Sequence, residues 1–424
     1  MTPLLMKISK KTHFLSDHDI HPTQYPHSTT SRNIFHSALV IGGFSMKHTC
    51  IFLIGFFIIS LLSCEKKEAQ IRVGGIFPLT GASATFGHSS KAGMQLAVDE
   101  FNAKGGIEIN GQKLLIAPIY DDTAGQPEQA ANVCRKQIDQ NSVVAIVGAV
   151  MSKNSLAMAP ICQSKQIPMI SPSSTNPEVT EKGDFIFRAC FIDSFQGIII
   201  AEYAYKKLNL RKAAVLFDNG NDYNKGLAQF FEEQFKILGG EIVASEAFTD
   251  EDKTVDFRAQ LTTIKAAKPD FLYLPNYYAA SATILMQAKE LGLDIPVGGG
   301  DGWDSPKLVE IGGQAVENGV FTNHFSKDDP RPEVQNFIRK YKEEEGDAPD
   351  SLASLAYDAA FVLFSAIEKA GSLSGVAIRD ALKATQLQGV TGNISFDEKR
   401  NPVKSAVILQ IRDGQQQYLT TIAP

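Results

Sequence analysis

The chain has 424 residues, 44% of them hydrophobic and 21% charged, with a net charge of -6. That composition is globular and excludes a collagen, a coiled coil or a disordered polymer, and the charge excludes a strong basic field for gripping nucleic acid. Five cysteines are too few for a disulfide scaffold, and six of the eight histidines precede residue 64, which leaves the body short of metal ligands and bases.

Residues 50–62 read CIFLIGFFIISLL. The run is short of the roughly 20 apolar residues of a membrane span and suits the apolar region of a secretion signal. Met46-Lys47-His48 supplies a basic start, and Leu61-Leu62-Ser63-Cys64 reads as a lipobox. Residues 46–63 are therefore expected to be a lipoprotein signal peptide, Cys64 the lipidated residue, and 64–69 a tether. Residues 1–45 show no periodicity and precede a complete signal, so translation is expected to start at Met46, with a disordered extension as the alternative. Without residues 1–63 the chain carries 36 basic and 45 acidic residues, a net -9.

Ile71–Ile76 is a short apolar run, expected as a buried strand. Met94, Ala97, Val98 and Phe101 then mark a helix face, and Gly105-Gly106 ends it. Asn110-Gly111 signals a hairpin into a strand over 113–120. A helix opening at Pro127 and a strand over 143–147 follow. The alternation continues with helices near 153–165, 194–208, 223–238, 255–267 and 279–291. Strands fall between and after them at 168–171, 213–217, 241–248, 270–274 and 296–299. After Thr322 helices dominate (331–346, 350–370, 375–385), with short strands near 393–396 and 404–411. Apolar strands alternating with amphipathic helices predict parallel sheets covered on both faces, in two doubly wound α/β lobes.

No phosphate-binding loop, dinucleotide fingerprint, metal-binding motif or nucleophile elbow is present. Asp121-Asp122 suggests either a carboxylate pair or cation site or, more simply, a solvated strand end that caps a helix. Of Cys134, Cys162 and Cys190, an odd number, at least one is expected to be free, and Cys134 and Cys162, in expected helices, read as buried packing residues rather than a pair. What remains are polar strand ends, where ligands of parallel sheets sit. VGAVMS ends at Ser152, ISPSST at Ser173 and Thr175, and GGGDGW carries Asp301 beside Trp303. Hydroxyls and helix N-terminal amides suit a carboxylate, and an aspartate suits an ammonium, so together they suit an α-amino acid. Ser152 and Thr175 could equally be ordinary helix caps.

The ordered blocks GGIFPLTGASATFG, FNAKGGIEINGQKL, YDDTAGQPEQA, VGAVMS, ISPSSTNP, FDNGNDYNKG, GGGDGWDSPKL and LAYDAA resemble the branched-chain amino-acid-binding proteins. These are type I periplasmic binding proteins that serve ABC importers. The resemblance spans roughly residues 70–412. It implies two α/β lobes, 70–191 plus 324–403 and 192–323 plus 404–424, joined by three hinge crossovers. It implies that Ser152 binds the ligand carboxylate, that Ser173 offers its carbonyl to the ammonium, and that Thr175 touches both ends. Tyr223 and Tyr277 come from the second lobe, Asp301 pairs with the ammonium, and Phe86 and Val150 lie near the ligand side chain. Trp303 is expected at the cleft mouth. Many relatives have Glu where Asp301 stands, and Ser173 replaces an Ala. Thr123 and Met151 stand near where some relatives carry a disulfide.

The expected function is a monomeric, lipid-anchored binding protein of the periplasm or cell surface. It would capture an amino acid, branched-chain or similar, by hinge closure and deliver it to a membrane ABC permease. It would use no metal or cofactor, bind no nucleic acid and be no enzyme. The alternative is a sensor lipoprotein of the same fold that signals to a membrane partner.

Overall fold

The computed structural model describes residues 70–424. The expectations for the extension, the signal peptide, the tether and Cys64 lie outside those residues.

The first sheet is built from β1 (Gln70–Phe77), β2 (Ile107–Ile109), β3 (Gln112–Asp122), β4 (Ala145–Gly148), β5 (Met169–Ser171) and β6 (Ile186–Arg188). Its order is β2-β3-β1-β4-β5-β6. All neighbours are parallel except the β2–β3 hairpin, whose turn residues Asn110 and Gly111 both take positive φ (52° and 78°). The Asn-Gly pair fits because such a turn needs left-handed backbone at both positions.

Helices cover this sheet on both faces. Side chains alternate across a strand, so Ala145 and Val147 face one core while Ile146 faces another. The second core is closed by α2 (Pro127–Asp139) and α3 (Ser152–Lys165) through Cys134, Met158 and Cys162. The first lies under α1 (Ala84–Ala103) and α11 (Ser351–Ala370), through Met94, Ala97, Ala359 and Leu363. The short α4 (Glu178–Glu181) precedes β6, and α12 (Gly375–Lys383) follows α11. α10 (Pro332–Glu345) packs Phe337 and Tyr341 into a satellite cluster with Phe325 and Val390. Cys134, Cys162 and Cys190 are all buried free thiols, with Cys134 Sγ and Cys162 Sγ 3.6 Å apart.

The second sheet holds β7 (Lys212–Asp218), β8 (Glu241–Phe248), β9 (Phe271–Leu274), β10 (Val297–Gly299), β11 (Val320–Asn323), β14 (Ala406–Arg412) and β15 (Gln415–Ile422). The order is β15-β14-β11-β10-β9-β7-β8. The helices of this half are α5 (Asp193–Glu202), α6 (Asp222–Ile237), α7 (Arg258–Ala267), α8 (Tyr278–Glu290) and α9 (Pro306–Gly312). The chain passes between the two sheets three times: after β6, after β11 and before β14.

The architecture is doubly wound α/β, but the sheets are mixed rather than wholly parallel. β14 runs antiparallel to β11, and β15 antiparallel to β14. β15 was not expected because QQQYLTTI lacks an apolar run, as befits a half-exposed edge strand. β6, β11 and β12 (Gln386–Gly389) are three or four residues each and were not expected, whereas β13 (Gly392–Ser395), which pairs with β12 in a small hairpin, matches the strand expected near 393–396. The helix expected over 194–208 is α5 followed by a wider-wound turn over Tyr203–Lys207.

α1 and α11 approach closely because Gly93 has no side chain: a Cβ there would lie 2.0 Å from the Ala353 carbonyl oxygen. Gly93→Ala should force the helices apart and lower the unfolding free energy by about 1–3 kcal/mol, the usual cost of overpacking. Urea unfolding followed by circular dichroism checks this.

Candidate functional site

The carboxyl ends of the strands of both sheets meet across a cleft, which is closed. Phe86 packs edge-on against Tyr277 and Tyr278, with ring centroids 5.7 and 5.0 Å apart. Polar contacts cross it as well. Asn176 Nδ2 donates to the Asp222 carbonyl (3.0 Å), and the Ser351 amide donates to Asp304 Oδ2 (2.8 Å). Thr85 and Ser305 hydroxyls lie 3.2 Å apart, Tyr278 Oη donates to the Ala82 carbonyl, and Lys153 pairs with Asp252 at 3.7 Å.

Closure leaves a cavity of about 20 Å³, little more than one water needs. Phe86, Val150, Met151, Ser152, Ser173 and Leu352 line it from the first-sheet side. Tyr223, Tyr277, Asp301 and Gly302 face them from the second. Seven of the nine ligand-site residues singled out in the sequence thus surround one space.

Ser152 is the first helical residue of α3, and Met151, not Ser152, occupies the cap position. The first amides of a helix have no intrahelical acceptor, so α3 presents donors and its positive dipole end beside Ser152. The Ser152 hydroxyl accepts from the Asn176 amide (3.2 Å). Ser173 Oγ donates to the Val150 carbonyl (3.1 Å), and Ser174 Oγ donates to the same carbonyl (3.0 Å). This wall is a neutral cluster of hydroxyls and amides.

The opposite wall is anionic. Asp301 follows β10 in a single 3-10 turn, Asp301–Trp303. Its Oδ1 accepts from Tyr223 Oη (2.8 Å) and Gln196 Nε2 (3.1 Å), and its Oδ2 faces His324 Nε2 at 2.9 Å. Tyr223 Oη also accepts from the Gly302 amide (3.0 Å), and the Tyr223 ring stacks on Tyr277 (5.2 Å, 10°). Burial, reinforced by the Asp301 charge, holds the Tyr223 phenol well above its ordinary value, so it donates. Burial pushes Asp193 and Glu251 up to about 7. Glu251 accepts from the Tyr277 amide (2.9 Å) and Asn221 Nδ2 (2.7 Å), which holds the loop carrying Tyr277. The glycines around Asp301 make room: a Cβ at Gly300 would come within 2.6 Å of Tyr223 Oη.

One expectation needs correction, and one further residue stands apart from the cavity lining. Trp303 is not at the cleft mouth. Its indole is fully buried in the second lobe, packs near Phe321 and donates from Nε1 to the Leu274 carbonyl (3.1 Å). Gly299 leaves the space for it, since a Cβ there would lie 2.2 Å from the indole. Two residues past Asp301 the backbone has turned, so the aspartate faces the cleft and the indole faces the core. Thr175 likewise does not line the closed cavity. It lies fully buried behind the wall, its carbonyl accepting from the Asp193 amide (3.0 Å) and its hydroxyl facing the Asp193 carboxylate. It is not a helix cap either.

Asp121-Asp122 ends its strand without capping a helix. Asp122 accepts from the Leu79, Thr80 and Ala124 amides, and Asp121 pairs with Lys136 at 2.7 Å. Sequence reasoning missed Met151, Gln196, Gly302, His324 and Leu352. His324 carried one signal, being one of only two histidines in the body; Gln196 carried none.

A larger cavity of about 590 Å³ lies beside the crossovers, lined by His324, Arg331, Val390, Lys404, Val407 and others. Its volume fits a ligand site, yet the converging hydroxyls and the aspartate face the smaller one. The small size of that cavity reflects closure.

Two lobes shut over a small cavity with hydroxyls on one wall and a carboxylate on the other are arranged to enclose a solute. The family model described as periplasmic binding protein matches residues 70–416, and the chain belongs to that family, which consists of solute-binding proteins, not enzymes. It is 31% identical over 332 residues to the leucine-, isoleucine-, valine-, threonine- and alanine-binding protein of Pseudomonas aeruginosa, covering 78% of this chain and 86% of that one. The isoleucine complex of the branched-chain amino acid transporter substrate-binding protein LivJ of Streptococcus pneumoniae superimposes with a TM-score of 0.78 at 34% identity, covering 84% of this chain and 100% of the other. A solute-binding protein of Rhodopseudomonas palustris in complex with 3,4-dihydroxybenzoic acid gives a TM-score of 0.74 at 28% identity, covering 84% and 97%.

With Trp303 sealed in the core, its emission should be blue-shifted and resist acrylamide quenching equally with and without ligand. It should become quenchable only on denaturation. A saturable ligand-dependent change in quenching would overturn this placement.

Proposed function

We propose that the protein captures an α-amino acid with a small to medium apolar side chain and delivers it to an ABC permease. The observation that carries this reading is the polarity of the cavity. Ser152, Ser173 and the N-terminus of α3 stand on one wall, and the Asp301 carboxylate stands on the other. A zwitterion laid across it would meet donors at its carboxylate and a counter-charge at its ammonium. Phe86, Val150, Tyr277 and Leu352 would enclose an apolar side chain. Thr175, whose buried hydroxyl faces the Asp193 carboxylate, is assigned the same role the resemblance gives it, reached when the lobes part and reclose on ligand. Trp303 is not part of this assignment. Lobe closure excludes water, and the lowered local dielectric strengthens the charged hydrogen bonds.

An aromatic carboxylate is a second reading, favoured by the dihydroxybenzoate complex of the R. palustris neighbour. Asp301 argues against it here, because such a ligand offers no cation to a buried carboxylate. The lipobox ending at Cys64 supports a lipid-anchored protein acting outside the cytoplasm. The amino-acid-binding relatives support the importer partner over a sensor role.

Calorimetry with a panel of amino acids and matching deaminated carboxylates separates the two ligand readings. Asp301→Asn should cost on the order of 3–5 kcal/mol for the amino acid, because the ammonium loses its counter-charge, and much less for the carboxylate. Ser152→Ala and Thr175→Ala should each cost about 1–3 kcal/mol for both ligands. If Asp301→Asn weakens both ligands equally, the ammonium assignment is wrong.

Growth with a labelled fatty acid should place lipid on the wild-type chain and none on Cys64→Ala. Label retained by the variant would exclude Cys64 as the anchor.

A further inference from the structure

We propose that His324 is a positioning residue for the ligand ammonium: as a neutral donor it fixes the Asp301 carboxylate, and it is itself held by the crossovers between the lobes. This rests on the amino-acid reading above.

His324 directly follows β11, at the start of the second crossover. Its ring stacks on Phe191, which stands in the first crossover, with centroids 3.6 Å apart and planes at 25°. Nε2 lies 2.9 Å from Asp301 Oδ2, and the His324 side chain is 1% exposed. The first crossover therefore covers a face of the imidazole through Phe191, and the second carries the ring with its Nε2 edge toward the carboxylate.

The protonation state follows from the partners. An ionised carboxylate only accepts, so Nε2 must carry the hydrogen. Nδ1 is buried without a partner, so a second proton there would have no acceptor. Burial pulls the imidazole below its ordinary value, while the Asp301 charge pulls it up. The other charged groups acting on it are Lys404, which disfavours the proton, and the more weakly acting Asp304. A neutral imidazole is the form consistent with all of these.

Neutrality is what the site needs. A lysine or arginine at this position would orient Asp301 equally well but would cancel its charge. A neutral donor, with Tyr223 and Gln196 on the other oxygen, holds the carboxylate in one orientation and leaves its full charge for the ammonium. The same network reaches the sheet, because Gln196 Oε1 accepts from Thr322 Oγ1 (2.8 Å), two residues before His324. The orientation of the counter-charge is thereby tied to the segment about which the lobes move.

The test is calorimetry on the full-length mature protein with the best-binding amino acid and its deaminated carboxylate, using Asp301→Asn, His324→Leu, His324→Asn and His324→Gln. Loss of the Nε2 donor should weaken amino-acid binding about 10–100-fold, the range for a hydrogen bond to a charged group. The deaminated ligand should change by no more than about threefold. Gln places an amide NH near the Nε2 position and should restore most of the loss, whereas Asn is too short to reach. Leu and Asn test the same point, so a failure of one to fold leaves the other to decide. Equal losses for both ligands would mean that His324 merely supports the fold, and unchanged amino-acid affinity would mean that it does not position Asp301; either overturns the inference. If Asp301→Asn itself leaves amino-acid affinity intact, the amino-acid reading fails first, which this design separates from a failure at His324 alone.

Discussion

A carboxylate at the seam of two lobes constrains everything around it. Asp301 is almost wholly buried, and an unpaired buried charge is costly. The structure meets that cost with three donors drawn from separate stretches of chain: Gln196 in α5, Tyr223 in α6 and His324 beyond β11. None carries a formal charge in the state the geometry supports. The site is therefore solvated by protein dipoles yet keeps a net negative charge, an arrangement that holds a cation without being neutralised in advance.

The opposite wall follows a different rule. Ser152, Ser173 and Ser174 hydrogen-bond chiefly to backbone carbonyls and amides at the ends of β4 and β5. Hydroxyls both donate and accept, so this wall satisfies itself when the cleft is shut and has donors to turn toward an anion. Placing the negative group on one lobe and the hydroxyls with the helix terminus on the other means that neither lobe alone recognises both ends of a zwitterion. On the proposed amino-acid reading, recognition of the whole molecule would therefore require closure.

The fold makes this division possible at low cost. Parallel strands deliver their carboxyl ends to one edge, and short crossovers bring two such edges face to face. Small residues set the close approaches that follow. Gly93 lets α1 and α11 touch, and Gly299 and Gly300 admit Trp303 and Tyr223 beside the aspartate. The glycine run GGGDG thus serves packing around a charged residue rather than the binding of phosphate.

The sequence by itself determined the strand–helix alternation, because burial on both faces of a parallel sheet writes apolar runs and one-sided helices directly into the residue order. Polar residues at strand ends stand out against apolar neighbours, and that contrast singled out Ser152, Ser173 and Asp301 in the cavity wall, whereas Phe86, Val150, Tyr223 and Tyr277 were legible only through resemblance to a family. Only the tertiary structure decided that β14 and β15 run antiparallel and that β15 exists at all, since an edge strand facing water needs no apolar pattern. It moved Trp303 into the core and Thr175 behind the wall, because the direction of a side chain after a strand end depends on the turn that follows, which spacing does not encode. It alone brought Gln196 and His324 to Asp301, 105 and 23 residues away in the chain, because a buried charge collects its partners by proximity in space.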